Sequence, residues 1–218
     1  MIFMGKRASA ATIIGSTDGP TSVFIIKKNS KLTLRQKIEK LKYKIKRAYV
    51  ERTLKAESHS IDEVMEYIVN VHGFVEIDND AVYQEYKEMR ASFIMQHASE
   101  LLGEYATMPQ LKSESQEDIQ AHIKQFRERQ QRAMEIPVTE FDIDFHKFRI
   151  SVGDINDNMH ITIEKRFAYI GGGVSGDKKV MKKFKRIYKD IYRYYGVTSE
   201  DIENKSKRYE QVVRALTR

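Results

Sequence analysis

The 218 residues contain no cysteine, which excludes disulfides, zinc ribbons, iron–sulfur clusters and thiol catalysis. The absence agrees with a reducing compartment, so a cytoplasmic location is the expectation. Long apolar runs are missing too. The longest, such as Val23-Phe24-Ile25-Ile26, falls far short of the roughly 18 to 20 residues a membrane-spanning helix needs. Lys6 and Arg7 precede a small apolar stretch, but it is too short and too rich in Ala, Ser and Thr for a secretory h-region. No His-Glu-x-x-His pair and no Gly-x-Ser-x-Gly elbow occurs, so zinc hydrolysis and serine nucleophilic catalysis have no support. The six histidines are scattered, and His97, on an apolar stripe, reads as a packed or boundary residue.

What is present is charge and amphipathic pattern. At 41% hydrophobic the chain can bury a core. Net charge is +7, with 38 basic and 31 acidic residues, so the excess matters only where it clusters. Between Lys27 and Lys55 there are twelve Lys or Arg and only two Glu, and a second cluster runs from Lys178 to Lys189. Lys42, Lys44, Lys46 and Arg47 in the first region, and Lys182, Lys185, Lys189 and Arg193 in and beyond the second, are the candidate binding residues for an anionic partner, protein or nucleic acid.

The spacing predicts an α+β fold: a helical N-terminal half of about four helices, then a small antiparallel sheet with two C-terminal helices. Three segments follow, an extended stretch over 1–31 with a turn motif, a helical region over 32–136, and a meander with two helices over 137–218. Leu34, Ile38, Leu41, Ile45 and Ala48 draw one stripe along a long helix with a basic back. Ser60 with Glu63 makes a capping box for a helix stopped by Gly73. Val82, Tyr86, Met89, Phe93, His97 and Leu101 line a third helix, and Ser115 caps a fourth carrying Ile119, Ile123, Phe126 and Ala133, closed by Pro137. Heptad-like seams predict an antiparallel helical layer.

Beyond Pro137 the period changes to two. Phe141-x-Ile143-x-Phe145 and Phe148-x-Ile150-x-Val152 read as strands with a bulge or turn at His146-Lys147, which puts Asp142 and Asp144 on one strand face. Met159-x-Ile161-x-Ile163 and Phe167 to Ile170 follow as strands. Gly171 to Gly176 then reads as a connector, with Asp177 where a phosphate loop would need Lys. Asp177 caps a helix to Tyr195, and the box from Thr198 to Asp201 opens one last helix. Tyr188, Tyr192 and Tyr195 among lysines suit either core packing or base stacking.

One segment carries family-level spelling. Thr12 to Ile25, with its Gly15-Ser16-Thr17-Asp18-Gly19-Pro20-Thr21 core, resembles the β subunit of sodium-ion-translocating decarboxylases of the oxaloacetate and glutaconyl-CoA type. The resemblance implies a sodium-binding role for Asp18 and decarboxylase subunits as partners. It stops there, since the rest of the chain lacks the hydrophobic spans of such a subunit. The sequence assigns no catalytic residue and no metal site. Its leading reading is a soluble, non-enzymatic accessory or interaction protein, with the decarboxylase accessory and the nucleic-acid binder as the alternatives.

Overall fold

A computed structural model of the chain describes residues 11–13, 33–107, 115–151 and 157–217. Asp18, and with it the decarboxylase-like motif beyond Ile13, lies outside them.

In chain order the elements are strand β1 (Ala11–Ile13), helix α1 (Leu34–Thr53), β2 (Glu57–Ser58), α2 (Ile61–His72), β3 (Val75–Glu76), α3 (Tyr83–His97), α4 (Gln116–Glu135), β4 (Phe145–Ser151), β5 (Asn158–Glu164), β6 (Tyr169–Ser175), α5 (Lys178–Tyr195), β7 (Gly196–Val197), α6 (Ser199–Asn204) and α7 (Lys207–Thr217). Short 3-10 turns precede and follow α3. The α+β class is as expected, with one small antiparallel sheet followed by C-terminal helices.

The chain forms two compact units. The first comprises β1, residues 33–77 and residues 145–217. Its sheet runs β1-β6-β5-β4-β3, antiparallel throughout, and a two-residue ladder joins β2 to β7. On one face Phe148, Met159, Ile161, Ile163, Ile170 and Val174 are buried against Phe184, Tyr188, Ile191, Tyr192 and Tyr195 of α5, with Val64 and Ile68 of α2 and Val212 and Val213 of α7 closing the core. Full burial of each such side chain is worth about 1.5–3 kcal/mol. Tyr192 is fully buried because its hydroxyl donates to the Ile170 carbonyl, so the ring brings no unpaired polar atom inside.

The glycine run is a strand and not a connector. A side chain on Gly172 would stand 2.7 Å from the His160 carbonyl oxygen and 3.3 Å from the Phe184 ring, so glycine is what lets α5 lie close upon β6. Only Gly176 separates this strand from the Asp177 cap, whose carboxylate accepts from the Lys179 and Val180 amides.

Local signals held where the cap chemistry was explicit. Ser60 and Glu63 form the capping box of α2, and Gly73 ends it at φ 70°. Asp177 and Thr198 cap their helices as spelled. The predicted last helix is two, because Lys205 adopts a left-handed φ of 47° between α6 and α7. No bulge interrupts β4: Phe145 to Ser151 is continuous, with Phe145 and Lys147 on one face and Phe148 and Ile150 on the other. Residues 141–144 lie outside any strand, so Asp142 and Asp144 share no strand face. Asp142 accepts instead from the Tyr86 hydroxyl at 2.6 Å and from the Ile143 amide at 2.7 Å.

The second unit holds residues 78–107 and 115–144. Its core is Ala91, Ile94, Met95, Leu102, Ala133 and Ile136, where α3 packs on α4. The buried stripe of α3 is rotated from the expected one: Arg90, Ala91, Phe93, Ile94 and Met95 are buried, and His97 is exposed with its ring stacked on Phe93. Two arginines pin the carbonyls of the turns. Arg90, 2% exposed, donates to Ile136, Pro137 and Phe141 at 2.6–2.7 Å. Arg129 donates to Met95, Tyr105 and Ala106. Helix ends and turns strand carbonyls that need donors, and one planar guanidinium satisfies three at once.

Candidate functional site

The long basic helix α1 packs on the rest of the first unit by a narrow strip. Val50 and Leu54 pack against the main core, and Arg47 bridges Glu51 of its own helix and Glu210 of α7, each at 2.7 Å. One helical step before Arg47, Lys46 meets α5. There Lys185, Lys189 and Arg193 follow one another at every fourth residue along one flank of the helix, roughly 90° round from the buried tyrosines. The Lys189 ammonium donates to the Leu216 carbonyl at the end of α7, 3.0 Å away. That carbonyl belongs to the last turn, whose oxygens have no partner within the helix and carry the negative end of its dipole.

Four cations therefore converge from two helices. Burial, and then the neighbouring charges of Lys46, Lys185 and Arg193, push the Lys189 ammonium down from 10.5 to about 8. Among the described residues no carboxylate lies within ion-pair distance of Lys46, Lys185, Lys189 or Arg193. The contrast with Arg47 is informative: a cation one residue away is neutralised twice over, while this group repels itself. An uncompensated cluster stores unfavourable Coulomb energy that an arriving anion releases.

The sequence-predicted residues divide accordingly. Lys46, Lys185, Lys189 and Arg193 come together. Lys42 is drawn to Glu39 at 3.1 Å, an exposed pair of small worth. Lys44 and Lys182 are exposed and stand apart from any ion pair. Arg47 is occupied by its two glutamates, so it serves the fold. Asp18 lies outside the described residues.

Tyr188, Tyr192 and Tyr195 are at most 2% exposed, so they are core and offer no ring to a nucleobase. A different aromatic group, which periodicity did not reveal, forms between α2 and α5. His59 stacks on Tyr194 at 3.9 Å, and Tyr194 stacks on Tyr67 at 4.0 Å. The Tyr67 hydroxyl donates to Asp190 at 2.6 Å, and His72 Nε2 stands 3.2 Å from the same carboxylate. The hydrogen bond to Asp190, with burial behind it, raises Tyr67 to about 12. His59 Nδ1 donates to the Tyr194 carbonyl at 2.7 Å. Each ring already has its stacking partner within the fold, so this group braces α2 against α5.

Among the described residues no cluster of His, Asp and Glu has the makings of a metal site, and no helix is long and apolar enough to cross a membrane. In comparisons with known proteins, the chain matches no family model, no curated protein and no solved structure.

Proposed function

We propose that the protein is a non-enzymatic interaction protein of the cytoplasm whose basic helices α1 and α5 bind an anionic macromolecule. One observation carries the reading: Lys46, Lys185, Lys189 and Arg193 are gathered from two distant stretches of chain with no carboxylate to balance them among the described residues. Like charges placed together by tertiary folding destabilise the free protein, and the compensation comes from a ligand of opposite sign. An acidic protein is favoured over nucleic acid as that ligand. The tyrosines of α5 that would have stacked on bases are buried, so beside Lys185, Lys189 and Arg193 a nucleic acid finds only phosphate contacts.

The test is binding of fluorescent polyglutamate and of a fluorescent single-stranded oligonucleotide as salt is raised, for the full chain and for Lys46→Glu/Lys189→Glu. Polyglutamate affinity should fall with salt and drop at least about tenfold in the double variant, since two attractive charges become repulsive. Absence of binding at low salt, or equal binding by the variant, would refute the reading. Oligonucleotide binding that is tighter and equally dependent on the two lysines would transfer it to nucleic acid. The resemblance of Thr12 to Ile25 to the decarboxylase β subunits supports a second reading, an accessory component of such a decarboxylase with its subunits as partners and Asp18 as the sodium-binding group; its test is co-purification with and without Asp18→Ala.

A further inference from the structure

The stripe Leu34, Ile38, Leu41 and Ile45 was expected to pack inside a helical layer. It faces water: these residues are 75, 44, 58 and 63% exposed. The reason is rotational. The strip that holds α1 to the body uses Arg47, Val50 and Leu54; Arg47 is two residues beyond Ile45, about 200° further round the helix. The apolar seam consequently points the opposite way. All 20 residues of α1 lack a buried side chain, yet Thr33 caps it with a full capping box. The helix is thus built to stand formed while its seam remains open.

The seam is spaced four, three and four, the heptad repeat of a two-stranded coiled coil. In that repeat the positions flanking the seam decide the partner. Here they are Arg35, Lys37, Lys42 and Lys44, every one basic; the only acidic group near them is Glu39, in its exposed pair with Lys42. Across α1 eight basic residues stand against two acidic.

This charge pattern selects the occupant. A second copy of α1 would set Lys37 and Lys44 against its own basic flanks, and like charges there oppose pairing. The N-terminal stretch of the same chain has the wrong sign, with Lys6, Arg7, Lys27, Lys28 and Lys31 against Asp18 alone. A helix of another protein with apolar core positions and Glu or Asp flanks satisfies both the seam and its border. We propose that α1 is the docking helix of this protein and that it takes an acidic amphipathic helix of a partner, lying along Leu34, Ile38, Leu41 and Ile45. The inference rests on the reading of the protein as a binder of anionic partners, and it specifies which kind.

The experiment uses the full chain and three synthetic probes: a short designed helix with Leu at its core positions and Glu at its flanks, the same helix with Lys flanks, and polyglutamate. The Glu-flanked helix should bind at least about tenfold more tightly than either of the others, because it alone buries leucines and pairs charges. It should also gain helical circular dichroism on binding. Leu41→Gln/Ile45→Gln should abolish that preference and, adding no charge beside Lys46, leave polyglutamate binding intact; both side chains are exposed, and an unchanged melting curve verifies the fold. Equal binding of the Glu-flanked helix and polyglutamate would overturn the seam while sparing the basic cluster, and failure of both probes would overturn the two readings together. A dimer in sedimentation that Leu41→Asp dissolves would assign the seam to a second copy and overturn the proposal.

Discussion

Replacing Lys189 with Met tests whether the cluster is held under repulsion. The ammonium is lowered from 10.5 to about 8, which taken whole corresponds to about 3.4 kcal/mol at 1.36 kcal/mol per unit. Much of the side chain meets water, and screening reduces the contribution to about 1 kcal/mol. A depressed folded-state value means that the unfolded chain holds the proton more tightly. Stability attributable to this group is therefore greatest above pH 10.5 and is lost as pH falls through 8, where the folded protein must carry the charge. Methionine removes that penalty along with the hydrogen bond to the Leu216 carbonyl. That bond is stronger from the ammonium than from the amine, a difference already contained in the lowered value, so what remains of it shifts the comparison by a constant. Between pH 10.5 and pH 7 the stability of Lys189→Met relative to the native chain should thus rise by about 1 kcal/mol, read as urea midpoints followed by circular dichroism. Polyglutamate affinity of the native chain should fall as pH passes 8, and that break should vanish in the variant. The charges facing Lys189 are Lys46 from α1, Lys185 and Arg193 from α5 and the Leu216 carbonyl of α7. A stability difference that does not move with pH would refute the reasoning.

Two predictions concern the scaffold. Arg90→Met leaves the carbonyls of Ile136, Pro137 and Phe141 without a donor and should destabilise the second unit by about 3 kcal/mol; hydrogen exchange should speed up in α3 and α4, and unchanged protection there would contradict the role given to the guanidinium. Tyr67→Phe removes the hydroxyl bonded to Asp190 and should cost about 1 kcal/mol at neutral pH. Because the folded value stands at about 12 against an ordinary 10, the native chain holds this advantage below pH 10 and loses it as pH rises toward 12. Melting curves of the two proteins should converge over that range.

The local chemistry of helix ends was readable from the chain alone. Ser60 with Glu63, Gly73, Asp177 and Thr198 with Asp201 each satisfy backbone groups within a few residues, so no distant contact is needed to decide them. The period-two pattern of β5 was equally plain, because one face of that strand is packed and register cannot slip without exposing it. Glycines 171–173 misled: their rarity in strands reflects the loss of a side chain, and only the approach of the Phe184 ring to Gly172 explains them. Arg90, set between Met89 and Ala91, gives no local hint that three carbonyls await it.

For the binding site the division is sharper. The amino-acid order by itself determined that α1 and α5 are basic, that α1 carries a heptad seam, and that the seam's borders are all cationic; composition and period are properties of the linear chain. Which of those cations meet, and which face of α1 is used up by the body, was decided by packing between elements more than 130 residues apart, as in the pairing of Arg47 with Glu210. A helical period names a stripe but not what covers it. Only the docking of Val50 and Leu54 on the core leaves the stripe in water and brings Lys46 to Lys189.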